Sequence, residues 1–377
     1  MKHSSAHHRS SGTIVALGAC RRGIDGASRL GFTVLAWLAA LAVALAAPVA
    51  QAQPVPDYGF EWRAIRDPGN PAASGDRFPG FPRDGIPEAG RVDYEFRLTR
   101  TEITATQWFE FVDAYSRFNP VQGSLAASLG GRHLIRIPDS GDPRGYRWEV
   151  LADALDAAAD MGWWYAARYC NWLHNGKVNE AWAFESGAYD SATWTADPTN
   201  PYGGQVVRSP GAMFWIPNLD EWTKAMHWDP NKLGPGIGDY WLYPHASDTP
   251  PVGGMPGTAG AQTGAGVYDD EGTFRIYPVG SYPNAQSPWG LLDGSGGVTE
   301  WLEGAFPNGV RPARGSDNSY TDVDYWDRID KIHGLTPEQW GFGLRVASVV
   351  PAPGTAGVLV LSVLLYTSRR RFRCGRR

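Results

Sequence analysis

The chain has 377 residues and a formal net charge of −5, so it lacks the basic excess expected of a nucleic-acid-binding protein. Of its three cysteines, Cys20 and Cys374 lie near the ends and only Cys170 lies in the central part. A disulfide within the central part is therefore excluded, and core packing or bound metal must supply stability there. The 17 tryptophans and 46 glycines predict long, ordered loops that are held by buried aromatic rings.

The first 52 residues are interpreted as a leader followed by a secretory signal peptide. Basic residues that include Arg22 and Arg29 precede an apolar run at 30–47, and the small-x-small sequence Ala50-Gln51-Ala52 follows. This order predicts export across the inner membrane and cleavage after Ala52. An uncleaved membrane anchor is the alternative, because the run is nearly long enough to span a bilayer.

The next part of the chain predicts turns, then a strand, then a helix. Residues 53–91 are rich in proline and glycine, which favours turns over a regular element. Apolar and polar residues alternate over 92–98 and predict a half-buried strand. Thr104 and Thr106 offer N-caps to a following helix, on which apolar residues recur at spacings of three and four.

Two further helices and one long irregular region follow. A helix is predicted over 161–173, with Asn175-Gly176 as its end. A short strand at 214–217 is predicted to precede a third helix that is capped by Asn218. Residues 229–290 combine glycine, proline and aspartate with scattered aromatic residues, which is typical of functional or metal-held loops.

The C-terminal segment, 349–377, has the composition of a membrane-directed tail. Pro351-Ala352-Pro353-Gly354 leads into an apolar stretch at 355–366, and an arginine cluster at 369–373 ends it. The stretch is short for a stable span, which needs about 20 residues, and the basic tail favours the cytoplasmic side. The arrangement resembles the PEP-CTERM sorting signal, which implies transient membrane contact and an exosortase-like processing enzyme. A plain C-terminal anchor is the alternative.

Seven segments of the central part resemble, in order, the motifs of one protein family. The segments are 101–104 with Trp108, 164–173, 216–225, 278–293, 296–301, 314–316 and 343–347. For example, Gly296-Gly297-Val298-Thr299-Glu300-Trp301 resembles G-N-V-W-E-W, and Gly343-Leu344-Arg345-Val346-Ala347 resembles G-F-R-V-A. Together they resemble the formylglycine-generating, or sulfatase-modifying factor, family over residues 92–348. The resemblance implies an α+β, C-type-lectin-related fold with little regular secondary structure.

The resemblance also implies where catalysis would occur. Catalytic relatives bind copper through two cysteines between the R-G-G-S element and the last strand, and they oxidise a substrate cysteine. Here the interval from Arg314 to Arg345 contains no cysteine, so no copper and no catalytic residue are expected, since thiolates hold Cu(I). Cys170 lies in a helix where relatives carry a packing cysteine. The aspartates at 322–330 include Asp324 and Asp327, which could share a helix face, but we interpret them as a solvated acidic surface.

A calcium site is implied by the loop that ends in Glu300. By resemblance, its ligands would be the backbone carbonyls of Ser295, Gly296 and Val298 together with the Glu300 carboxylate. Such an all-oxygen set suits a hard cation. Gly297 stands where relatives usually have asparagine.

Three functions remain open from the sequence. The first is a non-catalytic domain in the periplasm, outer envelope or extracellular matrix of a Gram-negative bacterium, where it binds a protein or glycan partner. The second is an oxidase or maturation factor of the same fold with unrecognised chemistry. The third is a structural component of an extracellular polysaccharide matrix, because PEP-CTERM-like tails accompany that machinery. We favour the first, in which the protein is not an enzyme.

Overall fold

The structure is a computed structural model that describes residues 55–81, 86–194 and 202–351. All described residues belong to one unit, Pro54–Arg377. The predicted signal peptide and nearly all of the predicted sorting signal lie outside the described residues. None of the helices in the described ranges has the length and apolar character that crossing a membrane requires.

Short elements joined by long loops make up the described unit, as expected for an α+β fold with little regular structure. The strands are β1 (Trp62–Ile65), β2 (Ala73–Ser74), β3 (Glu88–Ala89), β4 (Phe96–Thr99), β5 (Leu134–Pro138), β6 (Tyr146–Val150), β7 (Phe214–Trp215), β8 (Trp228–Asp229), β9 (Asp239–Tyr240), β10 (Thr299–Trp301), β11 (Arg311–Arg314), β12 (His333–Leu335), β13 (Phe342–Gly343) and β14 (Ala347–Val349). The helices are α1 (Ala105–Ser116), α2 (Ser124–Gly130), α3 (Trp163–His174), α4 (Ala181–Glu185), α5 (Leu219–His227) and α6 (Val323–Trp326), with a 3-10 turn at Ser191–Thr193.

One antiparallel sheet has the strand order β1-β4-β14-β7. Two predictions are corrected here. The segment 53–91, predicted to form turns, supplies β1 to β3, and Ile65 of β1 is fully buried opposite Phe96. The strand predicted over 92–98 begins only at Phe96, and all four residues of β4 are buried. An inner strand with both faces covered does not show the alternation of a half-buried strand.

The helix starts follow local capping chemistry. Thr104 caps α1 in a capping box: its side chain accepts the Gln107 N–H, and the Gln107 side chain accepts the Thr104 N–H. Thr106, the second predicted cap, lies inside α1 and donates instead to the Leu155 carbonyl. Asn218 and Glu221 form the same reciprocal box at the start of α5, as the sequence indicated for Asn218.

The main core lies between α1, α3 and the first sheet. Trp108 and Phe111 of α1 contact Tyr169 of α3, with ring centroids 5.3 and 5.5 Å apart. Cys170 is fully buried in the same helix, and burial raises the pKa of its thiol well above its usual range. The expectation that Cys170 packs in the core is confirmed.

A second sheet, in the order β12-β11-β10-β13, positions the candidate site. Its inner strand β10 pairs antiparallel with β11 and parallel with β13. Glu300 therefore lies in the middle of a buried sheet, opposite Arg314 on one side and Gly343 on the other. The loop that leads into β10 is the one in which the sequence predicts calcium.

Candidate functional site

The loop before β10 turns sharply, and its backbone requires glycine. Asp293, Gly296 and Gly297 all have positive φ values, of 56°, 79° and 69°. A Cβ atom at Gly297 would lie 2.2 Å from Glu102 Oε1, so any larger residue would displace that carboxylate. The glycine that replaces the usual asparagine therefore makes room for Glu102.

Glu300 lies in a buried ion pair. Its Oε1 accepts a hydrogen bond from Arg345 Nη2 at 2.8 Å, and its Oε2 accepts one from Trp222 Nε1 at 2.8 Å. Arg345 also donates to the backbone carbonyls of Thr99 and Leu292, so both partners are held firmly. The charge of Glu300 is thus balanced by protein groups before any cation is considered.

Two further carboxyl groups, Glu102 and Asp293, meet at a small cavity beside the loop. Glu102 Oε1 accepts the Val298 N–H at 3.1 Å, whereas the buried Oε2 has no hydrogen-bond partner among the described residues. Asp293 Oδ2 accepts the Gly280 N–H at 2.7 Å. The cavity, of about 20 Å³, is also lined by Ser295. That volume is enough for one water-sized occupant.

Burial makes these two groups resist ionisation. The pKa of Glu102 is raised well above its usual range, mainly by burial. The negative charges of Asp293 and Glu300 raise it further. Burial likewise raises the pKa of Asp293 to about 6. A cation in the cavity would relieve this penalty, because it would stabilise the ionised form of both groups.

The donor chemistry fits a hard cation, with one restriction. Glu102, Asp293 and Ser295 line the cavity and carry side-chain oxygens, and Asn318, whose amide oxygen accepts the Gly297 N–H, lines it as well. Within 55–81, 86–194 and 202–351, no group of three or more His, Cys, Asp or Glu side chains is placed to hold a metal ion. A calcium ion would therefore depend on two carboxylates and on backbone or amide oxygens for the rest.

The four predicted ligands are only partly brought together. Ser295 lines the cavity, and its hydroxyl donates to Asp327 Oδ2 at 2.5 Å. Gly296 and Val298 belong to the same loop, and their N–H groups donate to Ser316 and Glu102. The Glu300 carboxylate faces Arg345 and Trp222 instead of standing free.

Sequence reasoning missed Glu102 and Asp293 as candidate ligands. Both belong to segments that resemble family motifs, 101–104 and 278–293, so a signal was present. The sequence does not show that these segments come together, because Glu102 lies 196 residues before Val298, whose N–H donates to it. Only the fold joins the start of α1 to the loop before β10.

The structure also corrects the prediction for the aspartates at 322–330. Asp322 and Asp324 are exposed, as expected for a solvated surface, but Asp327 and Asp330 are almost fully buried. Asp327 also accepts the Ser316 N–H at 2.8 Å, and burial raises its pKa to about 7. Asp330 forms an ion pair with Arg328. The helix α6 has only four residues and ends before Asp327. Asp327 and Asp330 therefore lie in the loop after α6, where their contacts stabilise that loop.

The interval where relatives carry copper ligands is filled by aromatic and oxygen-bearing side chains. Trp326 stacks on His333 with ring centroids 4.1 Å apart, and Tyr320 contacts both rings. His333 Nε2 lies 3.2 Å from the Gly315 carbonyl oxygen. These groups pack against one another rather than forming a set of soft ligands.

No curated protein sequence matches the chain. Solved structures of similar fold include CarF, with 18% identity, a TM-score of 0.43 and coverage of 78% of this chain and 99% of that chain. Treponema denticola variable protein 1 has 15% identity, a TM-score of 0.44 and coverage of 77% and 95%. PvdO from Pseudomonas aeruginosa has 15% identity, a TM-score of 0.40 and coverage of 79% and 100%.

A family model described as the sulfatase-modifying factor enzyme 1-like domain matches residues 69–324, which is more than half of the chain. The match begins earlier than the domain start predicted at residue 92, and β1 to β3 lie in or beside that earlier part. By this match, the chain belongs to the sulfatase-modifying factor family.

Proposed function

We propose that the chain is a non-catalytic member of the family, exported to the cell envelope, where it binds a protein or glycan partner. The observation that carries the proposal is the composition of the interval from Arg314 to Arg345, which has no cysteine. Copper-dependent oxidation of a thiol needs soft ligands that hold Cu(I), and carboxylates, hydroxyls and aromatic rings do not supply them.

The one thiol among the described residues supports the same conclusion. Cys170 is fully buried in α3, and burial raises its pKa, which disfavours the thiolate form. A copper ligand or a nucleophile needs that thiolate, and a nucleophile also needs to be reachable by its substrate. Cys170 therefore contributes packing and no chemistry.

Calcium is proposed as a structural ion of this domain. Glu102 and Asp293 would hold it together with Ser295, which lines the same cavity, whereas the predicted ligands Gly296 and Val298 do not line it. Its role would be to tie the start of α1 to the loop before β10, and Glu300 would support that loop through Arg345. A hard cation supplies charge neutralisation at such a site.

The envelope location is proposed from the sequence of the two ends of the chain, 1–52 and 349–377, of which the structure describes only residues 349–351. Processing at both ends predicts a mature protein that begins at Gln53 and lacks the arginine cluster at 369–373. Intact-mass measurement of protein recovered from its native cells decides this. A retained tail would favour the plain membrane anchor.

A competition titration against a Cu(I) indicator tests the absence of a copper site. We expect the mature protein to withdraw much less than one equivalent of Cu(I), and Cys170→Ser to behave like the wild type. One tightly held equivalent that survives Cys170→Ser would contradict the proposal. It would favour the alternative, an oxidase of this fold with unrecognised ligands.

A further inference from the structure

The segment 202–209 contains no helix or strand and lies against the connection between β10 and β11. We call this segment the strap. Arg311 Nη2 donates to the carbonyl of Tyr202 at 2.8 Å, and the Gly304 N–H donates to the carbonyl of Val206 at 2.8 Å. The strap is therefore positioned by contacts with other parts of the chain and not by secondary structure of its own.

Arg208 joins the strap to two buried carboxyl groups. Its Nη1 donates to Glu303 Oε2 at 2.9 Å, and its backbone N–H donates to Glu303 Oε1 at 2.6 Å. Its Nη2 donates to Glu221 Oε1 at 3.0 Å. The side chains of Glu221 and Glu303 are 0% and 2% exposed, whereas that of Arg208 is 19% exposed. Arg208 therefore lies between these carboxyl groups and the solvent.

The charges at this contact do not balance. Within 55–81, 86–194 and 202–351, Arg208 forms ion pairs with both Glu221 and Glu303, and no other basic side chain pairs with either. Two ionised carboxylates would therefore share one positive charge in a buried environment. When two carboxyl groups share a site in this way, one of them tends to hold a proton.

Glu303 is the member of the pair that takes the proton. Glu221 accepts further hydrogen bonds from groups outside the strap, which are Trp215 Nε1, the Asn218 N–H and the Tyr94 hydroxyl. Besides Arg208, the described part of the chain offers Glu303 only the Tyr189 hydroxyl, which donates to Oε1 at 2.8 Å. The Glu221 carboxylate therefore keeps most of its donors without the strap, whereas Glu303 depends on it.

The surroundings of Glu303 support this assignment. Burial raises its pKa to about 7, the charge of Arg208 opposes this rise, and the charge of Glu221 adds to it. Tyr189 and Cys170 also lie near this carboxyl group, and burial raises the pKa of each well above its usual range. Both therefore stay neutral near pH 7, where Glu303 titrates.

From this geometry we propose that the strap is a pH-dependent cover, which is closed while Glu303 holds a proton and opens more readily once that proton is lost. Opening admits water to Glu303, so its pKa falls toward the ordinary value of 4.5. Between these values the closed form holds a proton that the open form releases. The contribution of this proton to closure is therefore complete below about pH 4.5 and is lost as the pH rises through about 7.

Hydrogen–deuterium exchange of the mature protein, followed by mass spectrometry of peptides that contain the strap, measures this opening. The Arg208 amide is the direct reporter, because it donates to Glu303. After correction for the intrinsic pH dependence of amide exchange, we expect protection of the strap to fall about tenfold from pH 6 to pH 8, as the two pKa values require. Peptides from the hairpin of β5 and β6 are the internal reference and should not change.

Three variants assign the effect to the carboxyl pair. Glu303→Gln removes the titrating group and should make protection of the strap equal at pH 6 and pH 8. Glu221→Gln removes one of the two negative charges, so Arg208 then balances Glu303 and the change in protection should move to lower pH. Glu149→Gln is the matched control, because Glu149 pairs with Arg147 and not with the strap, and it should keep the tenfold change.

Two results would overturn the inference. Equal protection of the wild-type strap at pH 6 and pH 8 would show that no proton is linked to its opening. A tenfold change that persists in Glu303→Gln would assign the proton to another group. If melting curves show that Glu303→Gln does not fold, Glu221→Gln decides the question, and an unchanged pH dependence in that variant overturns the inference.

Discussion

At the scale of single residues, the candidate calcium site depends on how many buried carboxyl groups lack a positive partner. Arg345 pairs with Glu300, whereas within the described part of the chain neither Glu102 nor Asp293 forms an ion pair. Ionising either group in a buried environment is unfavourable, and the raised pKa of both expresses that penalty. A divalent cation would stabilise the ionised form of the pair, which protons otherwise neutralise.

This charge arrangement predicts how calcium dependence changes with pH. Asp293 has a folded-state pKa of about 6, raised from 3.8, so between these values the folded protein holds a proton that the unfolded chain releases. Through this group alone, the calcium-free protein loses stability as pH rises from about 4 to about 6. Calcium requires the ionised form, so a chelator should lower the melting temperature more at pH 7 than at pH 5.

Melting curves of the wild type and Asp293→Asn, with and without chelator, measure this effect. The variant should lose most of the chelator response at pH 7, whereas Asp156→Asn should keep it. A wild-type curve that chelator leaves unchanged at pH 7 would remove calcium from this account. Glu300→Gln is a poorer probe, because breaking its pair with Arg345 destabilises by about 3–5 kcal/mol whether or not calcium binds.

At the scale of secondary structure, the helices are set by short-range chemistry. Thr104 and Gln107 satisfy each other's backbone N–H groups at the start of α1. Thr104→Ala should lower the free energy of unfolding by about 1 kcal/mol, and Thr104→Ser should restore most of it. Denaturant unfolding measures both. Equal losses for Thr104→Ala and Thr104→Ser would show that the hydroxyl does not act as a cap.

The elements that could be predicted are those whose signal is local. Periodicity and capping residues indicated α1, α3 and α5, and Asn218 was recognised as the cap of the third. The strand β1 was missed, because proline and glycine dominate its surroundings and its partner β4 lies more than a loop away. Asp327 was misread for a related reason: only the folded loop brings Ser295 and Ser316 to its carboxylate. Such contacts leave no periodic trace in the sequence.

At the scale of the whole molecule, tryptophan side chains join segments that are distant in the sequence. Trp108 Nε1 donates to the Leu129 carbonyl, and Trp163 Nε1 donates to the Leu302 carbonyl. Trp301 Nε1 donates to the Met161 carbonyl at 2.7 Å. The composition predicted that buried aromatic rings hold the loops, and the motifs predicted the family. Neither could predict which segments come into contact. The candidate site was therefore foreseen as a loop and not as a pair of carboxyl groups.

The function proposed for this domain is to bind a partner and not to oxidise a thiol. Mass spectrometry of a C-x-P-x-R peptide, after incubation with the mature protein, copper and oxygen, tests it most directly. We expect the peptide cysteine to remain a thiol or to form only the disulfide that copper produces in protein-free controls, since no cysteine lies between Arg314 and Arg345. Time-dependent conversion of that cysteine to formylglycine, in the wild type and in Cys170→Ser alike, would contradict the account.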